Sequence, residues 1–139
     1  MAVNTQFSIA VHIMAVLGVR AGRDATSAEL ACSVNTSPSF LRRVLAKLSR
    51  AGLVGTATGK TGACWLAKPA KNISLLDIYL AVDAPKAFAI HTYAEQKGCS
   101  VSCHIKHALD RALGKTQDAL EEALAKISVA RIVAEVREK

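Results

Sequence analysis

Acidic side chains are nearly missing from one long stretch of this 139-residue chain. Between Arg20 and Lys71, Asp24 and Glu29 stand against nine Lys and Arg. No paired carboxylates and no nucleophile–base arrangement stand out. The Cys99–Cys103 spacing is not that of a thiol oxidoreductase, so the chain is expected not to be an enzyme. The segment Gly59-Lys60-Thr61-Gly62 lacks the spacing of a phosphate loop and opens no helix. A targeting or membrane segment is not expected either. The apolar run near the N-terminus is interrupted by Asn4, Gln6, Ser8 and His12. It has no basic leader or cleavage site and is too polar to cross a bilayer. It reads instead as a core helix, with Phe7, Ala10, Val11, Met14 and Leu17 at helical spacing and Gly18 or Gly22 ending it. Four cysteines in a chain expected to be cytoplasmic do not point to a disulfide framework.

Half of the residues are apolar, 51%, which is enough for a real core in one small domain with an appended element. The net charge of +7 is unevenly placed. Residues 20–71 carry all of it, because residues 72–139 hold nine basic and nine acidic side chains. A basic patch confined to one module is the footprint of phosphate binding.

That module has a recognisable order. Thr26 and Glu29 form an S/T-x-x-E capping box that starts a short helix, and Ser33 to Thr36 read as a turn. Ser37 caps the next helix, Pro38 occupies its first position, and Gly52 stops it. At 100° per residue, Phe40, Leu41, Val44, Leu45 and Leu48 share one face. Ser39, Arg42, Arg43, Ala46, Lys47 and Arg50 share the other. An ordinary solvated face mixes Glu with Lys; this one has no acid. Such a helix can bury its apolar stripe and lay its cationic stripe in a DNA major groove. A membrane partner is not expected, because the apolar stripe suits a core rather than lipid. RNA is disfavoured by the lack of aromatic stacking residues on the basic face. The segment GLVGTATGKTGACWLAKP then reads as a hairpin wing whose tip, Lys60 and Thr61, can meet phosphates or a minor groove.

Ser74 and Asp77 mark a further short helix, with Ile73 placed for a hydrophobic staple. Ala84 to Gly98 is a weakly patterned connector. Cys103 to about Ile127 reads as one long helix, with Ile105, Ala108, Leu109, Ala112, Leu113, Ala119, Leu120, Ala123, Leu124 and Ile127 on one face. A solitary helix must bury such a stripe, and its twin in a second subunit is the natural partner. Ser128 caps a last short helix, VARIVAEV. The expected class is therefore mainly α: a winged helix-turn-helix DNA-binding head with a small β-hairpin wing and a long C-terminal dimerisation helix. The division is 1–83 for the head, 84–102 for a connector with a sensor-type cysteine loop, and 103–139 for the dimerisation helix and terminal short helix.

This order, with the stretches SPSFLRRVLAKLSRAGLV and KPAKNISLLDIYLAVD, resembles the Rrf2 family of bacterial transcription regulators. Its relatives include the iron–sulfur-cluster regulator, the nitric-oxide-sensitive repressor and the cysteine-metabolism repressor. The resemblance spans nearly the whole chain. It implies a homodimer on a palindromic operator in double-stranded DNA, a cytoplasmic repressor, with Ser39 and Arg42 where family members contact bases and the wing tip in the minor groove. The wider DNA-binding set is Thr26, Ser37, Pro38, Ser39, Phe40, Arg42, Arg43, Lys47, Lys60 and Thr61. The family wing commonly reads R-G-P-G-G-G; here Thr58-Gly59-Lys60-Thr61-Gly62-Ala63 stands in its place, leaving Lys60 as the cation of the tip.

Iron–sulfur members carry three cysteines before the long helix, and this chain has two there, Cys99 and Cys103. Histidines lie close by, but positions 103, 104 and 107 of a helix point in different directions. Cys99, Cys103 and His107 are the candidate ligands for a metal ion or iron–sulfur cluster, three at best. A second reading is a thiol switch, in which Cys103 sits near a helix N-terminus among Lys97 and Lys106 and Cys99 resolves its oxidised form. A third is a pair of inert thiols. Cys32 and Cys64 are expected to be buried small hydrophobes. The competing function is a dimeric metal- or redox-sensing adaptor that does not bind DNA specifically, which leaves the basic helix face unexplained.

Overall fold

Local capping chemistry sets the helix boundaries. The computed structural model describes residues 5–20, 22–57 and 62–137. Helix α1 runs Gln6–Arg20, strand β1 Ala25–Thr26, helix α2 Ser27–Val34 and helix α3 Pro38–Arg50. Strands β2 (Val54–Thr56) and β3 (Ala63–Leu66) follow, then a 3-10 turn at Ala70–Asn72, α4 (Leu75–Ala81), α5 (Ser100–Ala125) and α6 (Val129–Arg137). Both expected capping boxes are made. The Thr26 hydroxyl accepts the Glu29 N–H at 3.1 Å, and the Ser74 hydroxyl accepts the Asp77 N–H at 3.1 Å. Asn35, in the left-handed region at φ 64°, ends α2, and Gly52 at φ 77° ends α3. Beyond Gly52 the Leu53 N–H returns to the Leu48 carbonyl at 3.0 Å, so α3 turns sharply into β2.

The wing is part of a three-stranded antiparallel sheet in the order β1-β3-β2, rather than a free hairpin. The two-residue β1 pairs Ala25 with Cys64 and Thr26 with Ala63. On the other side Gly55 faces Trp65. A Cβ at Gly55 would collide with the Trp65 indole, so glycine is what lets the ring lie across β2.

By their contacts, residues 1–84 and 124–139 form one compact unit and residues 85–123 a second. The first unit holds the core. Ile13, Met14, Leu30, Leu41, Val44, Leu48, Ile73 and Ile78 are fully buried there. Phe7 meets Tyr79 edge to face at 5.7 Å between ring centroids, joining α1 to α4. Helix α6 belongs to this core. Val129 and Val133 are buried, and a Cβ added at Gly18 would come within 2.6 Å of a Val133 methyl. Gly18 lies inside α1 and is the site of this close approach, not a terminator. Hydrogen bonds from Leu75 N–H to the Ile127 carbonyl and from Val129 N–H to the Ile73 carbonyl, both 2.8 Å, stitch the start of α6 to the start of α4.

In the second unit the connector lies against α5. Gln117 is the buried polar side chain of this helix: its Oε1 accepts the Ala87 N–H at 3.0 Å, and its Nε2 donates to Glu121 at 3.1 Å. It sits between Leu113 and Leu120 on the apolar stripe. Helix α5 begins at Ser100, three residues before the expected start. Cys99 stands at the cap position there, and its sulfur accepts the Ser102 N–H at 3.4 Å. No helix among the described residues is long and apolar enough to cross a membrane.

Candidate nucleic-acid interface

Helix α3 separates its two faces as its sequence requires. Leu41, Val44, Leu45 and Leu48 are buried, whereas Ser39, Arg42, Arg43, Ala46 and Arg50 are exposed. Ser37 caps the helix by accepting the Phe40 N–H at 3.3 Å, and its hydroxyl lies 3.5 Å from that of Ser39. The Arg43 guanidinium stands 5.4 Å from the centroid of the Phe40 ring, a cation–π contact that limits where this side chain goes. Lys47 is half-buried and donates to Gln6 Oε1 of α1 at 3.1 Å. This anchor was not read from the sequence, since Gln6 lies 41 residues away.

Thr26, counted among the candidate contacts, is occupied by its cap. The Glu29 carboxylate answers by accepting the Thr26 backbone N–H at 3.4 Å and hydroxyl at 3.2 Å, and it also pairs with Arg20. The Thr26 N–H, helped by Arg20, holds the Glu29 carboxyl below its ordinary range against partial desolvation. A carboxyl depressed in the folded state stabilises above its unfolded value, and that contribution is lost as the pH falls. In acid titrations, Glu29→Gln is therefore expected to flatten the fall in stability below the ordinary carboxylate value of 4.5. Parent and variant curves of identical slope there would sink this assignment.

Lys60 and Thr61, the proposed wing tip, lie outside the described residues. The base of the wing is described. Cys64 on β3 is buried, as expected, and donates to the Gly62 carbonyl at 3.3 Å. Burial, and secondly the charge of Asp24, pushes its thiol up. Cys32, in contrast, is exposed, which corrects the expectation of burial. Helix α2 has eight residues and turns only Leu30 and Ala31 fully inward, so Cys32 faces outward.

In the connector, Cys99 and Cys103 are both exposed free thiols. Cys103 Sγ donates to the Gln96 carbonyl at 3.7 Å, and the Gln96 N–H is held by the Ser102 hydroxyl at 2.7 Å. His104 Nδ1 lies 2.8 Å from the Ser100 carbonyl. Among the described residues, no three His, Cys, Asp or Glu gather so that they could hold a metal ion. Cys99, Cys103 and His107 are thus not brought together as a ligand set.

The fold and its cationic third helix define a winged helix-turn-helix protein. The Rrf2 family profile, described as an iron-dependent transcriptional regulator, matches residues 3–135. The chain belongs to that family, whose members are transcriptional regulators and not enzymes. It is 35% identical over 129 residues to YwnA of Bacillus subtilis (strain 168), named as an HTH-type transcriptional regulator, covering 91% of this chain and 93% of that one. Two solved structures share the fold. CymR (YrzC), the global cysteine regulator of B. subtilis, is 20% identical with a TM-score of 0.72, over 97% of this chain and 98% of that one. IscR of T. potens is 21% identical with a TM-score of 0.72, over 99% and 90%. The iron in the family's description finds no matching donor set among the described residues, because Cys99, Cys103 and His107 do not gather there with one another or with a further His, Cys, Asp or Glu.

Proposed function

We propose that this protein is a cytoplasmic, dimeric repressor that binds a palindromic operator through α3 and the wing and is released or engaged by a thiol-directed signal at Cys99 and Cys103. The observation that carries the DNA-binding part is the exposed face of α3, where Ser39, Arg42, Arg43 and Arg50 stand without an acidic neighbour on the helix. Residues 1–83 read the DNA, 84–102 sense, and 103–139 carry the dimer helix. Arg42 and Arg43 are the base-reading candidates; Lys47, Lys60 and Thr61 serve phosphates; Ser37 and Pro38 set the start of the helix.

The dimer reading rests on α5. Leu109, Leu113 and Leu120 remain half-exposed along a helix of 26 residues, and Ala108, Ala112, Ala119 and Ala123 are exposed beside them. Charging the stripe with Leu109→Glu and Leu120→Glu is expected to give monomers, measured by light scattering. A dimer that persists would remove α5 as the interface.

The sensing part rests on two exposed thiols four residues apart at the start of α5, one of them its cap. Two-electron oxidation of Cys103 by a peroxide gives a sulfenic acid and water or alcohol. Attack by the Cys99 thiol then gives a disulfide and releases water. Such a bond would remove the sulfur that caps α5. The testing experiment titrates the protein against duplex DNA from its own upstream region, with RNA competitor, before and after peroxide. A shift in affinity of about 5- to 150-fold is expected in the parent. It should vanish in Cys99→Ser with Cys103→Ser. Equal responses in parent and variant, or none in the parent, would place the signal elsewhere.

A further inference from the structure

We propose that the cleft between α3 and the base of the wing binds an amphipathic organic anion, an aromatic ring system bearing a carboxylate or sulfonate, and that this ligand competes with DNA. The cleft has a volume of about 610 Å³, within the range that holds drug-sized molecules. Buried Leu45 and Cys64 form its apolar floor, exposed Ala46 and Ala57 extend that apolar surface outward, and Ser27, Ser49 and Thr56 add hydroxyls. Its rim carries Arg42 and Arg50, and none of the described residues that line it is acidic. The two arginines stand eight residues apart on α3, about 12 Å along the helix axis. Ala46 lies midway and leaves the space between them open. Neither guanidinium takes part in an ion pair among the described residues.

Each part of this arrangement selects a part of the ligand. The apolar floor favours a flat ring system and offers a phosphate little. A guanidinium beside a low-dielectric surface favours a bidentate oxyanion over a neutral polar group. Cys64 contributes surface rather than chemistry, because its thiol is buried and already donates to Gly62. A neutral apolar compound would leave the rim unsatisfied. The competition with DNA rests on the proposed function, which puts Arg42 on the bases; the binding itself does not.

The probe is 8-anilinonaphthalene-1-sulfonate, titrated into the full-length protein and followed by fluorescence. Saturable binding of one molecule per chain is expected. Ala46→Phe, which fills the cleft from an exposed position, and Arg50→Gln, which removes a rim charge, should each weaken it about tenfold or more. Far-ultraviolet circular dichroism and melting should match the parent in both variants. Neutral N-phenyl-1-naphthylamine should bind at least about tenfold more weakly, for the same lost charge. Gly114→Trp, in the second unit, should leave the titration unchanged. Unsaturable fluorescence, equal binding of the neutral compound, undiminished binding in both cleft variants, or loss with Gly114→Trp would each overturn the site. Duplex operator should displace the probe. If the probe binds as expected but the duplex does not displace it, competition is refuted and the site stands. If the protein also has no affinity for duplex DNA, the proposed function fails separately.

Discussion

Val129→Asp combined with Val133→Asp is expected to unfold the winged-helix head, although neither residue belongs to it by sequence. Both valines are buried in the core shared with α1. Each substitution forfeits roughly 1.5–3 kcal/mol of apolar burial and adds the desolvation of a carboxylate that has no partner. Together they remove on the order of 5 kcal/mol or more, against a total of roughly 5–15 kcal/mol for an ordinary domain. A cooperative melt close to that of the parent would show that α6 is dispensable. Gly18 supplies a sharper version, because the two contributions there have opposite signs. Alanine is favoured over glycine inside a helix by about 1 kcal/mol. Its methyl would also meet the stiff, buried Val133 side chain at 2.6 Å. Gly18→Ala is therefore expected to destabilise the parent and to stabilise a protein that carries Val133→Ala. Chemical denaturation of the four proteins of this cycle measures both signs.

Arg42→Ala with Arg43→Ala is expected to abolish operator binding at physiological salt. A good bidentate contact to a base contributes about 1–3 kcal/mol of discrimination, so two such losses reach roughly 2–6 kcal/mol, or about 30- to 10⁴-fold. The two residues should differ when changed singly to Lys. Among the described residues no ion pair holds Arg42, whereas Arg43 is guided by the Phe40 ring. Arg43→Lys keeps the charge but loses the fork and much of the stacking, so sequence preference should fall while the salt dependence is retained. Lys47→Ala should behave in the opposite way, weakening all sequences alike and lowering the salt slope by about one. Fluorescence anisotropy on operator and scrambled duplexes at several salt concentrations separates these cases. An unaltered affinity in the double variant would mean that α3 is not the reading helix.

Much of this architecture is legible in the sequence because it is set locally. The capping boxes at Thr26–Glu29 and Ser74–Asp77 reach only three residues, and the α3 stripe repeats within two turns. What escaped is non-local. Strand β1 has two residues and exists because β3 pairs with it nearly 40 positions later, so it leaves no pattern of its own. The Lys47–Gln6 bond spans α3 and α1. The apolar stripe of α6 is readable, but nothing in it names Gly18 as the surface it meets. Cys32 was misplaced because eight residues of α2 give too few turns to fix which face is inward. Gln117 did leave a trace: it is the polar member of an otherwise apolar row from Leu109 to Leu124, and its burial follows from that position. At the connector, residue types alone suggested a ligand set that the backbone does not assemble.

The docking of α6 onto α1 also sets a clock during synthesis. The chain leaves the first unit after Ala84 and returns to it at Leu124. The ribosome must make the 39 residues between before the helix that completes the head can arrive. At about 5–20 residues per second, that interval is roughly 2–8 s. Through it Gly18 of α1 lacks the Val129 and Val133 side chains that will pack on it, and a nascent regulator presents α3 before it has a finished core. A transcriptional regulator built this way completes its fold late, when the segment that follows α5 has docked.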